Sequence, residues 1–182
     1  MSNMTSELTD LVARLGEPDI LVLGDLMLDR YVWGDAERIS QEAPVVLLRA
    51  DRREERLGGA SSVAMMLAAL GARVSIAGVV GDDADGIRVR AMLDGFGIDH
   101  GAVLTDTARP TTVKERYIGR AQQKHPQQMI RVDYETREAV SGELEDRLAR
   151  VVIERALAAD AAGTVVGALL GTSTVTCYIE SA

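Results

Sequence analysis

The fold prediction depends most on residues 57–71, LGGASSVAMMLAALG. Gly58 and Gly59 open this stretch, where the lack of side chains lets a ligand or a strand approach the backbone, and free N–H groups of a first helical turn suit hydroxyls or an anion. Gly71 is placed to end the helix. The alternative is a buried helix of an α/β protein whose glycines serve packing alone. A helix with a wide buried face is predicted because apolar residues recur at helical spacing, at Leu57, Ala60, Val63, Ala64, Leu67, Ala68 and Leu70.

The composition is ordinary for a globular protein, and the chain is acidic. Its 182 residues are 47% hydrophobic and 26% charged, with a formal net charge of −8. This charge argues against nucleic acid or an anionic membrane as a partner. The single cysteine, Cys177, excludes a disulfide framework and a cysteine-based metal site, and no metal ligands are predicted. The first residues lack a signal-peptide pattern and no apolar run is long enough to span a membrane, so a cytoplasmic location is expected.

Residues 19–25, DILVLGD, form an apolar run that predicts a strand buried on both faces, as in a parallel sheet. A short amphipathic helix is expected before it, at 5–15. Asp25 and Asp29 are expected at the carboxyl end of the strand, where ligands gather in open α/β sheets. Carboxylates there can hold a metal, accept protons or bind sugar hydroxyls. The alternative is a helix cap or a turn residue, which we favour for Asp25, whereas we favour a functional role for Asp29.

Residues 30–50 lack the helical pattern that a βαβ unit would place next. Tyr31 and Trp33 point one way and Val32 the other, and a Gly-Asp turn is expected after them. Pro44 then precedes a second apolar run. We therefore predict two strands outside the main sheet.

The α/β pattern then continues with a strand at 73–80, a helix at 86–96 and a short strand at 102–104. Asp82 or Asp83 is the expected N-cap of the helix, and Gly95 or Gly97 its end.

Residues 109–131 are locally cationic in an acidic chain. Residues 111–118 alternate as a strand, so Lys114 and Arg116 project from one face. Such a pair suits an anionic small molecule, and the alternative is a solvated strand face. A short strand at 129–132 and a long amphipathic helix from Ser141 to about 158 follow.

This order of elements predicts an α/β sandwich with a small β lid. The sequence resembles the ribokinase-like (PfkB) carbohydrate kinases, and among them the D-glycero-β-D-manno-heptose 7-phosphate kinases of lipopolysaccharide core synthesis. The resemblance covers about residues 20–160. The motifs that carry it are ILVLGDLMLDRYVWGDAERISQEAPV at 20–45, RLGGASSVAMMLAALGA at 56–72, AGVVGDDADG at 77–86 and RPTTVKERYIGRAQQKHPQQMIRVD at 109–133.

The resemblance implies a three-layer α/β/α sandwich and a set of substrate-binding residues. Asp29 would accept hydrogen bonds from sugar hydroxyls, and Gly58 and Gly59 would hinge the lid and let the sugar approach the backbone. Lys114 and Arg116 would meet the sugar's phosphate. Lid strands within 30–50 and 111–132 would close over the sugar and pair two subunits into a homodimer. ATP with Mg²⁺ is the implied phosphoryl donor.

Two departures from the family pattern affect these expectations. Ser62 stands where the family has a sugar-contacting asparagine, so this contact is weakened or made through water. The chain also lacks the SDYGKG-like and GAGD motifs, which supply the nucleotide site and the catalytic aspartate, so no catalytic residue is assigned. Residues 161–182 form an apolar tail that indicates a truncation or frameshift after a kinase part at 1–160; the alternative is a divergent natural terminus.

Two functions therefore stay open. The first is a heptose 7-phosphate kinase, expected to be inactive as this chain alone. The second is a non-catalytic remnant that binds a sugar phosphate or only dimerises. A nucleotide-binding Rossmann domain is disfavoured because neither G-x-G-x-x-G nor G-x-x-x-x-G-K-[ST] occurs.

Overall fold

The computed structural model of the chain describes residues 16–120 and 125–155. Two compact units divide the chain, Met1–Glu138 and Ala139–Ala182. The first unit contains, in chain order, β1 (Asp19–Leu23), β2 (Leu26–Ile39), β3 (Val46–Gly59), α1 (Ala60–Ala69), β4 (Arg73–Gly81), α2 (Ala84–Gly95), β5 (Asp99–Asp106), β6 (Thr112–Arg120) and β7 (Gln127–Tyr134).

Three of these strands form a parallel sheet in the order β1-β4-β5. The apolar run of β4 fits this place because parallel strands are buried on both faces. Val74, Ile76, Ala77 and Val80 of β4 are buried. The predicted strands at 19–25, 73–80 and 102–104 are confirmed, and the last of them is longer than predicted. The expectation that the first is buried on both faces is wrong, because no residue of β1 is fully buried and Leu23 is 53% exposed.

The other four strands form a second sheet in the order β3-β2-β6-β7. β2 is antiparallel to β3 and parallel to β6, and β6 is antiparallel to β7. The prediction of strands outside the main sheet is confirmed. The expected Gly-Asp turn at 34–35 is wrong, because β2 runs through it to Ile39 with a break in register after Trp33. A side chain at Gly34 would collide with the backbone of Arg49, so glycine here permits strand pairing.

Helix α1 begins and ends where the sequence indicated, but its apolar face is narrower. Gly59 is its N-cap, and the Gly71 and Ala72 N–H groups donate to the carbonyls of Ala68 and Leu67 at 3.0 and 3.2 Å, which closes the helix. Leu57 belongs to β3 rather than to the helix. The expectation of a wide buried face is wrong in part, since Val63 and Leu70 are exposed.

Helix α2 also follows the sequence signals. Asp83 is its N-cap and accepts a hydrogen bond from the Gly86 N–H at 2.7 Å. At the other end, Gly97 has φ +67° and its N–H donates to the Asp94 carbonyl at 2.9 Å. Of the predicted alternatives, Asp83 and Gly97 are thus the residues used. The helix begins two residues earlier than expected, at Ala84.

One hydrophobic core joins the two sheets and both helices of this unit. It includes Leu28, Leu57 and Val113 from the second sheet and Ile76 and Leu93 from the first sheet and α2. This is an incomplete ribokinase-like α/β fold with a separate lid sheet, as predicted.

In the second unit, residues 142–155 form a helix, α3, which agrees with the helix expected from Ser141. The predictions at 5–15 and 161–182, and the expected boundary at 160, lie outside the described residues. No helix within 16–120 or 125–155 has the length and apolar character needed to cross a membrane.

Candidate functional site

Alternation along the second sheet sorts its side chains onto two faces. The register pairs Asp29 with Arg56 and Lys114, and it pairs Tyr31 with Glu54 and Arg116. Residues that are paired across strands share a face. We name this face the polar face; its charged and aromatic members in β2, β3 and β6 are Asp29, Tyr31, Trp33, Arg52, Glu54, Arg56, Lys114 and Arg116.

The polar face brings together the two parts of the sequence prediction. Lys114 and Arg116 share a face as expected, and Asp29 lies on the neighbouring strand of that same face. Asp29 is not at the end of β1, because it is the fourth residue of β2. The sheet therefore places one carboxylate beside two cations.

Asp29 and Arg116 form an ion pair across β2 and β6. The Arg116 Nη1 donates to Asp29 Oδ1 at 2.6 Å, and the two side chains are 20% and 19% exposed. Their hydrogen bond raises the pKa of Arg116 above its ordinary value. This ion pair fixes the position of the Asp29 carboxylate, which has further oxygen lone pairs that can accept hydrogen bonds from a ligand.

The two glycines at the end of β3 leave room for this carboxylate and for the start of α1. A Cβ at Gly58 would lie 2.8 Å from Asp29 Oδ2, so glycine keeps that oxygen accessible. Gly59 has φ +55°, and a Cβ there would lie 2.5 Å from the carbonyl oxygen of Asp25. That carbonyl accepts a hydrogen bond from the Ala60 N–H at 2.9 Å. Asp25 therefore acts through its backbone in a turn.

The serines of the first turn of α1 differ in burial. Ser62 is half-buried. Ser61 is fully buried, and within the described part of the chain its hydroxyl has no hydrogen-bond partner. Gly59 supplies no side-chain cap to the helix, and its φ and close contact with Asp25 explain why a capping serine does not stand there.

A second set of contacts fixes where β6 starts. Asp83 Oδ2 accepts from the Thr111 N–H at 2.8 Å, and the Thr111 hydroxyl accepts from the Gly81 N–H at 2.8 Å. Thr111 is fully buried. Because Thr111 directly precedes β6, these bonds tie the strand that carries Lys114 and Arg116 to the N-terminus of α2.

Tyr31 and Arg56 are parts of this site that the sequence did not assign. The Arg56 and Arg116 guanidiniums lie 4.9 and 5.2 Å from the centroid of the Tyr31 ring. Alternation predicts Tyr31 on the face of Trp33, and the sequence assigns Arg56 no role beyond its place in the motif at 56–72. The missing signal is the pairing of β3 with β2, which no apolar–polar alternation indicates because all of residues 49–56 except Ala50 are charged.

The described residues do not bring metal ligands together. Within 16–120 and 125–155, no three His, Cys, Asp or Glu side chains lie close enough to hold a metal ion. Asp29 is instead engaged with Arg116.

Comparison with known proteins identifies a family and individual proteins to which the chain is similar. A family model for the pfkB family of carbohydrate kinases matches residues 17–151. The D-beta-D-heptose 7-phosphate kinase of Bordetella bronchiseptica is 49% identical over 122 residues, which are 67% of this chain and 37% of that protein. The bifunctional protein HldE of Campylobacter curvus is 45% identical over 136 residues, 75% of this chain and 28% of that protein.

The chain thus spans about a third of the length of these relatives. Among solved structures, a carbohydrate kinase from Agrobacterium tumefaciens is similar, with a TM-score of 0.52 and 24% identity. The similarity covers 64% of this chain and 35% of that one. It supports the same fold.

Proposed function

The chain belongs to the pfkB family of carbohydrate kinases, and we propose that it serves the phosphorylation of D-glycero-β-D-manno-heptose 7-phosphate to the 1,7-bisphosphate by ATP. One observation carries this proposal: Asp29 lies beside Lys114 and Arg116 on the polar face. The substrate has hydroxyls that need an acceptor and a phosphate that needs cations. The names of the two relatives agree with this substrate.

In this proposal each residue has a separate role. Asp29 accepts hydrogen bonds from sugar hydroxyls through the carboxylate that Arg116 holds in place. Lys114 and Arg116 attract the phosphate at the 7-position by charge-assisted hydrogen bonds. Gly58 lets the sugar approach Asp29 without meeting a side chain.

ATP with Mg²⁺ is the proposed phosphoryl donor. We propose no role toward the nucleotide or the metal for residues 16–120 and 125–155. The proposal for these residues concerns the sugar phosphate.

Calorimetric titration of the chain with heptose 7-phosphate tests the proposal. Asp29→Asn should weaken binding by about tenfold or more, because the acceptor loses its charge. Asp35→Asn is the matched control, since Asp35 lies on the same strand and pairs with Arg49 at 2.8 Å. Equal losses in the two variants would contradict a specific role for Asp29.

A non-catalytic sugar-phosphate binder is the second candidate. The same face favours it, because Asp29, Lys114 and Arg116 would hold hydroxyls and phosphate without a nucleotide. Release of ADP that depends on heptose 7-phosphate, measured in the same samples, favours the kinase. Binding without such release agrees both with the second candidate and with a kinase that is inactive as this chain alone.

We also propose that the second sheet pairs with a second copy of the chain. β3 and β7 are the two edge strands of this sheet, and edges recruit further strands. Exposed apolar residues cluster around the β2–β3 hairpin, at Ile39, Val45, Val46 and Leu47.

Light scattering tests this second copy. Leu47→Glu should shift a dimer to a monomer, whereas Ile87→Glu, at an exposed residue of α2, should not. A monomer for the unsubstituted chain would contradict the pairing.

A further inference from the structure

The ring of Tyr31 lies between arginines from both neighbouring strands. Arg56 comes from β3 and Arg116 from β6, and their guanidinium carbons lie 4.9 and 5.2 Å from the ring centroid. Both distances are within the range of a cation–π contact. The ring therefore brings two guanidiniums from different strands to one point of the sheet, despite their like charge.

The two guanidiniums differ in how firmly they are engaged. Arg116 donates through Nη1 to Asp29 and, at 3.3 Å, to the Lys114 carbonyl, and these bonds use one of its three nitrogens. Arg56 is 61% exposed and pairs with Glu54 of its own strand at 3.1 Å. An ion pair between exposed side chains contributes little free energy, so a stronger anion can replace Glu54 as the partner of Arg56.

Arg56 lies close enough to Asp29 to contact a ligand that Asp29 binds. Arg56 stands opposite Asp29 in the β2–β3 register, and Lys114 stands opposite Asp29 on the other side. Neighbouring strands are about 4.8 Å apart, so a ligand held by Asp29 has Arg56 within reach of its charged end. A planar guanidinium fork matches the oxygens of a phosphate in a way that an ammonium does not.

We propose that Arg56 and Arg116, spaced by Tyr31, form a two-arginine clamp for the phosphate of the sugar, and that Arg56 makes the site select a phosphorylated over an unphosphorylated sugar. The clamp rests on the function proposed above and adds a specificity-determining residue to it. Tyr31 acts as a positioning residue, because it contacts both arginines.

A general positive potential on this face would also attract phosphate, and Arg52 separates the two explanations. Arg52 lies on the same strand and face as Arg56, is 57% exposed, and pairs with the same Glu54 at 2.5 Å. Its guanidinium also stacks on an aromatic ring, that of Trp33, at 4.9 Å. It differs from Arg56 in pairing with Trp33 rather than with Asp29.

Calorimetric titrations with heptose 7-phosphate and with the same heptose lacking the phosphate test the clamp. Arg56→Gln should weaken binding of the sugar phosphate by about tenfold or more and leave the unphosphorylated sugar within about twofold. Arg52→Gln should leave both ligands within about twofold. Arg56→Lys keeps the charge but not the fork, so its loss should lie between those of Arg56→Gln and the unsubstituted chain.

Each other outcome overturns the clamp. Equal losses in Arg56→Gln and Arg52→Gln would mean a general potential, and an equal loss for the unphosphorylated sugar would mean that Arg56 contacts the sugar ring. Inorganic phosphate that binds as tightly as heptose 7-phosphate would mean a site for free phosphate.

The proposed function and the clamp fail in different ways. If the unsubstituted chain does not bind heptose 7-phosphate, both are overturned. If it binds and Asp29→Asn weakens it while Arg56→Gln does not, only the clamp is overturned. Circular dichroism checks that Arg56→Gln and Arg56→Lys are folded. We expect both to be folded, because a substitution at an exposed side chain should leave the fold intact.

Discussion

Strands β2, β3 and β6 have a core face and the polar face, which differ in chemistry. The residues of the two faces alternate along each strand. On one face Leu28, Leu57 and Val113 are buried in the hydrophobic core. On the other, Asp29 lies beside Lys114 and Arg116. A period of two residues lets one strand pack every second side chain into the core and present polar and charged side chains with the others. Neighbouring residues should therefore have separable effects on stability and on binding.

The core face also carries charges, and several of them are paired within the protein. Arg30 Nη2 lies 3.0 Å from Glu55 Oε1 and 2.5 Å from Asp85 Oδ1, and Arg88 Nε lies 2.9 Å from Glu55 Oε2. Burial raises the pKa of Glu55, but its hydrogen bonds from the two arginines outweigh this and hold the pKa below its ordinary value. These ion pairs join β2 and β3 to α2, so the charged side chains of this face stabilise the fold.

The largest expected effect is a loss of stability from the core face. Leu28 is 0% exposed, so Leu28→Ala should lower the free energy of unfolding by about 2–5 kcal/mol. Leu70→Ala is the matched control, because Leu70 is 84% exposed and should change stability by less than about 0.5 kcal/mol. Urea unfolding measures both, and similar values for the two variants would show that Leu28 lies outside a packed core.

A substitution at Gly58, which lies beside Asp29 on the same face of the sheet, should affect both properties. Gly58→Ala puts a Cβ 2.8 Å from Asp29 Oδ2 and 2.8 Å from Met27 Cγ. We expect a loss of about 1–3 kcal/mol in stability, together with weaker binding of heptose 7-phosphate because Asp29 must move.

Gly95→Ala is the control for that variant. No atom lies within 4 Å of a Cβ there, and alanine should stabilise the helix by about 0.5–1 kcal/mol. Unchanged binding in Gly58→Ala, measured by calorimetry, would contradict the crowding of Asp29.

Much of this architecture follows from local sequence signals. The apolar runs predicted β1 and β4, and the Asp83 cap and Gly71 fixed helix ends, because each depends on neighbours within a few residues. Alternation alone placed Lys114 and Arg116 on one face. The similar solved structure agrees with the predicted fold.

The errors concern contacts between residues far apart in the sequence. Gly34 and Asp35 have a local turn signal, yet pairing with β3 keeps them in a strand. The helical period of α1 identifies the apolar residues but not which of them the rest of the protein covers. The predicted burial of Leu70 is wrong for this reason, because Leu70 is exposed. The contact of Asp29 with Arg116, 87 residues away, depends on β6 lying beside β2, which no local pattern contains.

A smaller effect is expected where β6 is anchored, and it depends on pH. Burial raises the pKa of Asp83, but hydrogen bonds from the Thr111 and Gly86 N–H groups outweigh this and hold the pKa below its ordinary value of 3.8. The stabilisation is complete above the pKa of the unfolded chain and is lost as the pH falls through the lower folded value. Asp83→Ala, which loses both bonds, should cost about 0.5–2 kcal/mol at neutral pH.

Asp83→Asn separates the two bonds of this carboxylate. An asparagine keeps one acceptor oxygen for Gly86 but places an amide group near the Thr111 N–H, so its cost should be below that of alanine and the acid-dependent part should shrink. Urea unfolding between neutral pH and pH 3 measures both variants. A pH dependence unchanged from that of the original chain would contradict the role of Asp83.

The smallest effect on stability should come from the polar face itself. Lys114 stands on this face beside Asp29, so Lys114→Gln should change the free energy of unfolding by less than about 0.5 kcal/mol. Its proposed role is to attract phosphate, and such attraction is screened by salt, with a screening length of about 10 Å at 0.1 M and about 3 Å at 1 M. Binding of heptose 7-phosphate by the original chain should therefore weaken as salt rises, and Lys114→Gln should weaken it at low salt and flatten this dependence. Arg73→Gln, at an exposed cation of β4 paired with Asp19, should leave the dependence unchanged. Equal slopes against salt for Lys114→Gln and Arg73→Gln would mean that the polar face does not supply the cations that bind the phosphate.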